Sequence, residues 1–491
     1  MIGRAEVPDR SSSAGMGALL LVGLLGAIGL AALLAQGLSA QHTVVLAAGA
    51  LIAIVLGAIC MRTMQAERAV DRLVMAYIFL TPFQFAFLGS SLFPADQEAF
   101  GVRVSLSDLI LPLLLLVLLR QRVRRTSVVR SREALVFIAL GLAIAASWGQ
   151  SILHLGGITT YSSVKAIGLA ALVISAAAIV EVVRERKLWD RALDAVAFSG
   201  LASGAIGIVG FLFWRLGGVD SYLMDHDRLN STMFTDPNIF GSLMAVSVII
   251  AVVRISLTSS RARLFWVTVL LVTLVALVLS QSRSGIICCA GGLFVLAILA
   301  RPSAVLVGGA ALMLLGVIAF AAYSPLGSPG TDSVIVDRRL SETTLVSRLE
   351  LWGDGLALLP EEAASGIGIG GFEQATFFDT SSTRKEFARV HNTYLTIVVE
   401  FGLVGVVAFS LLAVAVARSV RSGFITGSQD QRWRIAAVIA CVLGLLAFAV
   451  WVDALYQRHL WILIGLALAV PQRNESDVEG VVPVDARNER R

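Results

Sequence analysis

HNTYLTIVVEFGLVGVVAFSLLAVAVA, residues 391–417, decides the fold. Four polar or aromatic residues, His391, Asn392, Thr393 and Tyr394, give way to an apolar run whose single charge is Glu400. The run matches the roughly 20 residues that cross a hydrocarbon core. Immediately upstream, residues 323–390 form a long polar stretch that reads as a water-exposed loop. The junction at His391 therefore sits at the depth where a lipid headgroup is presented.

Working outward, the same apolar signature recurs. Candidate spans lie near 14–35, 43–61, 73–89, 105–119, 134–152, 164–183, 192–214, 238–255, 264–281, 285–300, 303–322, 391–417, 434–452 and 458–471. This predicts an all-α polytopic membrane protein of about 14 transmembrane helices with one long external loop. The parts are then 1–322 with the first eleven helices, the loop 323–390, 391–471 with the last three, and a charged tail 472–491. The first run is longer than the roughly 7–15 residues of a signal-peptide core and reads as a span.

Composition agrees, with 57% hydrophobic and 15% charged residues. The net charge of +5 could suggest a nucleic-acid partner. Its basic residues, however, sit in short clusters between apolar runs, where they act as topology signals. The clusters at Arg62–Arg72, Arg120–Arg132, Arg184–Arg191, Arg254–Arg263, Arg301 and Arg418–Arg434 all fall on one side if the fourteen spans hold. That side is the cytoplasm by the positive-inside rule, and both termini lie there. The connections 90–104, 153–163, 215–237, 282–284, 323–390 and 453–457 face outward. Cys60, Cys288, Cys289 and Cys441 lie within or beside apolar runs, so no disulfide framework or metal site is expected. No internal repeat is evident.

Inside the long loop, Leu345, Leu349, Trp352, Leu356 and Leu359 recur at helical spacing and Pro360 closes the pattern. This predicts a short amphipathic helix lying on the membrane surface, with Arg348 and Glu350 pointing elsewhere. The following Gly366-Ile367-Gly368-Ile369-Gly370-Gly371 formally satisfies GxGxxG. It lacks the preceding strand and βαβ unit of a dinucleotide site, and reads as a tight bend without Cβ atoms that brings the loop close to its neighbours.

His391 could take a proton from a hydroxyl near neutral pH, or more plainly cap a helix start or hydrogen-bond a neighbour. Asn392 and Thr393 suit a helix start, and Tyr394 could orient the imidazole or anchor at the interface. Glu400, about 13 Å further along a regular helix, should face away from His391 unless Gly402 or Gly405 distorts the span, and a carboxylate at that depth calls for a partner. Arg228, before the eighth span, and Arg283, in the tight turn Gln281-Ser282-Arg283-Ser284-Gly285, run against the positive-inside bias. Their counter-charge is either a loop acid such as Asp225, Asp227 or Asp236, or a phosphate, for which the guanidinium fork is well shaped. Two arginines to neutralise a pyrophosphate leaving group and a histidine base need no metal and no cofactor.

The Arg228–Gly241 run, Ser282-Arg283-Ser284-Gly285, Ser347-Arg348 followed by Trp352, the glycine run to Phe372, His391-Asn392-Thr393-Tyr394-Leu395 and Glu400-Phe401-Gly402-Leu403-Val404-Gly405 together resemble the O-antigen ligase and O-antigen polymerase family of bacterial membrane proteins. The resemblance covers about 220–410; the first half matches only as generic spans. It implies an inverting transfer from an undecaprenyl-pyrophosphate glycan to a glycan, lipid or protein acceptor, on the outer face of the bacterial plasma membrane. Pyrophosphate-binding roles fall on Arg228 and Arg283, that of base on His391, and accessory roles on Arg348, Tyr394 and Asn392. Ligase and polymerase stay open, and two further readings stand beside them. A lipid-glycan flippase would use polar groups within the spans, chiefly Glu400, Asp453 and Asp194. A scaffold of polysaccharide export would use none of these residues.

Overall fold

A computed structural model describes residues 66–87, 102–122, 131–154, 156–157, 159–217, 224–225, 228–229, 236–300, 342–358, 363–378 and 390–471. Helices dominate: α1 (Ala66–Leu80), α2 (Leu106–Arg122), α3 (Ser131–His154), α4 (Thr160–Glu185), α5 (Trp189–Gly217), α6 (Pro237–Leu257), α7 (Ser260–Leu279), α8 (Arg283–Ala300), α9 (Glu342–Ala357), α10 (Gly371–Phe378), α11 (Thr393–Thr426), α12 (Gln429–Phe448) and α13 (Arg458–Leu468). Among the described residues, strands occur only as two small antiparallel hairpins. One pairs β1 (Gln84–Phe87) with β2 (Val102–Ser105), the other β3 (Met224–Asp225) with β4 (Arg228–Leu229). The chain is an all-α membrane protein.

Eight of these helices, α3 to α8, α11 and α12, are long and apolar enough to cross a membrane, and α2 and α13 are shorter apolar helices. The described residues therefore do not reach fourteen; the spans expected at 14–35, 43–61 and 303–322, and the tail 472–491, lie outside them. The span expected at 73–89 is corrected. Helix α1 begins seven residues earlier and ends at Leu80, because Pro82 has no N–H to donate and disfavours helical geometry at Thr81. The chain then turns into β1, which pairs with β2 just before α2.

Helices in lipid gain little from burying apolar surface against one another, so close approach through small residues carries the packing. A Cβ on Gly285 would sit 2.8 Å from the Gly241 carbonyl carbon, which locks the first turns of α6 and α8 together. A Cβ on Gly444 would meet the Cys288 carbonyl oxygen at 2.5 Å, bringing α12 against α8.

Ion pairs gather the basic clusters at one end of the bundle. Arg184 clamps Glu133 with bonds of 2.7 and 2.8 Å and also donates to the Leu468 carbonyl. Arg254 reaches Asp194 at 2.6 Å and Asp190 at 3.4 Å, and Arg434 meets the same Asp190 at 2.7 Å. The opposite end holds Asp108 paired to Arg458 and the residues of the candidate site.

The long stretch 323–390 is not simply a water-exposed loop where it is described. Gly366 to Gln374 are all buried. Helix α9 is present: Leu351, Trp352 and Leu358 pack against the cluster of Ile367, Phe372, Val390 and Val399, while Leu349 and Leu356 of the expected stripe stay exposed.

Candidate functional site

Helix α6 starts with Asp236 as its N-cap, the carboxylate accepting from the Asn238 N–H at 2.6 Å, and Pro237 occupies the first turn, where its missing N–H costs nothing. Asn238 projects back as a hub. Its Oδ1 accepts from Arg228 Nη2 at 3.1 Å and from the Ser282 hydroxyl at 3.1 Å. Arg228 Nε also donates to the Ser280 carbonyl at 3.2 Å. The turn between α7 and α8 holds Gln281 at φ +49°, a left-handed backbone uncommon outside glycine, and leaves Arg283 exposed as the first residue of α8.

Arg348 enters from α9 and donates to the Trp451 carbonyl at 3.1 Å. Burial pulls its guanidinium below the ordinary arginine value; the Asp236 charge opposes that fall and the Arg283 charge adds to it. Arg348 therefore lies within electrostatic reach of Asp236 and of Arg283, and Arg228 bonds the first turn of α6 and the Ser280 carbonyl at the end of α7. Excess positive charge at a pair of helix N-termini favours an anion.

His391 is half-buried and sits at φ +50°, immediately before α11. A β-carbon is costly in this conformation, so the surrounding structure must hold it. Asn392 is the N-cap, its Oδ1 accepting from the Tyr394 and Leu395 N–H groups at 3.0 and 3.1 Å. Thr393 ties the start of α11 to the turn after α12: its N–H donates to the Ala449 carbonyl, its hydroxyl donates to Val452 O, and its Oγ1 accepts from the Ala454 N–H. On the other side, Trp352 Nε1 donates to the Val390 carbonyl at 2.9 Å, and the Trp352 ring lies 6.0 Å from that of Trp451. A short chain of contacts therefore links Arg348 through Trp451 and Trp352 to the peptide preceding His391. Tyr394 is not aimed at the imidazole; its hydroxyl donates to the Leu446 carbonyl at 2.9 Å.

The Glu400 carboxylate is buried, and α11 is broken two residues later, where Gly402 adopts φ +58° and ψ −154°. Backbone groups on both sides of the break bond to other segments. Leu403 N–H donates to Ala363 and Val404 N–H to Ala364, while the Val399 carbonyl accepts from Ile367 N–H and the Glu400 carbonyl from the Ser147 hydroxyl. The glycine-rich run is what fits into this break, as its expected close approach required. A Cβ on Gly366 would lie 2.6 Å from the Glu400 carbonyl carbon, and one on Gly368 would lie 2.2 Å from the Ser151 nitrogen.

Sequence reasoning missed the partner of Glu400. Lys165, from α4, donates to Glu400 Oε1 at 3.0 Å and to Glu373 Oε1 at 2.9 Å, and the Gly370 N–H donates to the same Glu400 oxygen at 2.9 Å. The signal was present, since a lysine just inside an apolar span asks for a partner. Among the described residues no group of His, Cys, Asp and Glu side chains has the arrangement of a metal site. Asp453 and Asp194 lie apart from one another: Asp453 caps the Leu455 N–H near α13 and Asp194 pairs with Arg254 at the basic end.

These features define a multi-pass helical membrane protein with a polar, arginine-rich cluster at one end of its bundle. Residues 267–410 match the O-antigen ligase family (Wzy_C), and this match supports an O-antigen ligase-like or polymerase-like membrane protein. No curated protein matches the chain.

Proposed function

We propose that the chain is a glycosyltransferase that moves a glycan from undecaprenyl pyrophosphate to an acceptor hydroxyl, acting as a ligase or a polymerase on the outer face of the bacterial plasma membrane. The observation that carries the reading is that Asn238, in the first turn of α6, accepts from both Arg228 and Ser282, the neighbour of Arg283, so that the two arginines stand at one joint of the bundle, with Arg283 and Arg348 inside the matched family region. In this reading the guanidiniums bind the pyrophosphate bidentately and neutralise the charge that develops as it leaves. His391 takes the proton of the acceptor hydroxyl, whose oxygen attacks the anomeric carbon from the face opposite the pyrophosphate. A new glycosidic bond forms, the bond to the pyrophosphate oxygen breaks, and the configuration inverts. In this reading the basic end of the bundle and both termini face the cytoplasm, and the arginine cluster faces outward.

Purified protein given an undecaprenyl-pyrophosphate oligosaccharide tests it. A product ladder from donor alone identifies a polymerase, and a single shift that waits for an added lipid or protein acceptor identifies a ligase. Absence of any new glycosidic bond, with every acceptor class supplied, contradicts the reading.

One observation favours a transport reading instead. Lys165, Glu373 and Glu400 form a buried ionic cluster among the helices, a common mark of a translocation path. A flippase predicts donor translocation across proteoliposomes with no new glycosidic bond.

A further inference from the structure

We infer that Lys165 is a positioning residue for His391: its ammonium ties α4 to both the glycine-rich loop and the broken helix α11, and that tie sets where the histidine stands. The inference rests on the proposed role of His391 as base.

Three separate segments meet at one nitrogen. Lys165 Nζ bonds Glu373 at the start of α10 and Glu400 in α11, with side-chain exposures of 11%, 6% and 1% in the order Lys165, Glu373, Glu400. Charges this enclosed cannot exchange partners for water, so the geometry of the cluster is a fixed constraint rather than a surface contact. Glu400 Oε1 also holds the Gly370 N–H, which fastens the loop to the same oxygen. The rings of Tyr161 and Tyr456 lie 5.5 and 5.1 Å from the ammonium and close the cluster on its remaining sides. Gly370, at φ +73°, is part of the fit: a Cβ there would press the Tyr161 ring at 3.0 Å and Lys165 Cδ at 3.3 Å.

The path from this cluster to His391 is short. Ile367 and Phe372, on either side of Gly370, pack with Val399 and with Val390, the residue before His391. Val390 is then gripped from the other side, its carbonyl accepting from Trp352. If the loop shifts, Val390 shifts, and with it the strained backbone of His391. Arg228, bonded to Asn238 and the Ser280 carbonyl, and Arg283 at the start of α8 lie off this path, whereas Arg348 touches it through Trp451 and Trp352. Loss of the tie should therefore harm the chemical step far more than donor binding.

The test uses the full chain in nanodiscs, with Lys165→Met, the double variant Lys165→Met/Glu400→Gln, which removes one charge of each sign should the single change fail to fold, and Lys165→Arg. Hydrogen exchange is read at 366–374 and 390–396, with 237–257 as the internal control. Transfer kinetics are read with an undecaprenyl-pyrophosphate oligosaccharide. The inference expects faster exchange at both test segments and not at the control. It also expects a fall in kcat on the order of 100-fold, as for a base displaced by about 1 Å, with donor KM changed less than about threefold, and substantial recovery in Lys165→Arg. Unchanged exchange at 390–396 in a folded charge-removing variant overturns it, as does a kcat within about threefold of wild type. A wild-type protein that makes no product overturns the transfer reading alone, and the exchange measurement then still decides whether Lys165 positions the loop.

Discussion

Gly366 and Gly402 stand backbone to backbone: a Cβ on Gly402 would lie 2.4 Å from the Gly366 nitrogen, and one on Gly366 would lie 2.7 Å from the Gly402 nitrogen. The loop and the broken helix are thereby a single docked unit, and the break in α11 exists because the loop fills it. Both residues have positive φ, so a side chain at either would be strained even with space around it.

Gly402→Ala should therefore be costly in a way that no side-chain movement relieves, since the obstructing atoms are backbone. At φ +58° and ψ −154° the backbone lies in a region essentially reserved for glycine, where a β-carbon costs about 1–3 kcal/mol, and the clash adds to it. The check is thermal unfolding in detergent, which should show a lower transition for Gly402→Ala and a much smaller change for Gly353→Ala, where a Cβ would meet nothing within 4 Å.

Asn392→Ala removes the acceptor for two N–H groups at the start of α11. The expected loss is about 1 kcal/mol, as for other N-caps, and Asn392→Asp should retain most of it. Exchange at Tyr394 and Leu395 should quicken in the alanine variant before any global unfolding is detected.

Arg283→Lys and Arg348→Lys each keep a positive charge but lose the planar fork. Charge-assisted hydrogen bonds contribute about 1.5–3 kcal/mol, so the proposal expects transfer efficiency to fall on the order of 10- to 100-fold in each. Arg254→Lys, at the basic end of the bundle, should leave the donor concentration dependence unchanged. Comparing kcat/KM for the three variants checks this.

The fold was readable to the extent that it follows from hydropathy. The described spans after α1 begin close to their expected places, because a run of about twenty apolar residues has few alternatives to a transmembrane helix, although α11 runs past 417 to Thr426 and takes Arg418 and Arg421 into the helix. Helix α1 was displaced because the apolar pattern continues past Pro82 while the backbone cannot. The glycine run was recognised as a close approach, yet its receptor, the break at Gly402, depends on a partner distant in sequence. Lys165 was overlooked for the same reason: nothing local to it names Glu373 and Glu400. The N-cap role of Asn392 was legible, since capping is a local property, whereas the destination of the Tyr394 hydroxyl was set by α12. For Arg348, the local sequence indicates a position in the loop, and only packing sets its guanidinium on the Trp451 carbonyl.

His391 offers the most direct test, because its left-handed backbone separates geometry from chemistry. His391→Gly removes the imidazole while suiting φ +50°, and should be more stable than His391→Ala by about 1 kcal/mol. Single-turnover transfer from an undecaprenyl-pyrophosphate oligosaccharide by wild type and His391→Gly, with donor binding measured in parallel, is the decisive measurement. The account predicts that the glycine variant binds donor as wild type does and forms no new glycosidic bond. Transfer at near wild-type rate by His391→Gly would contradict it.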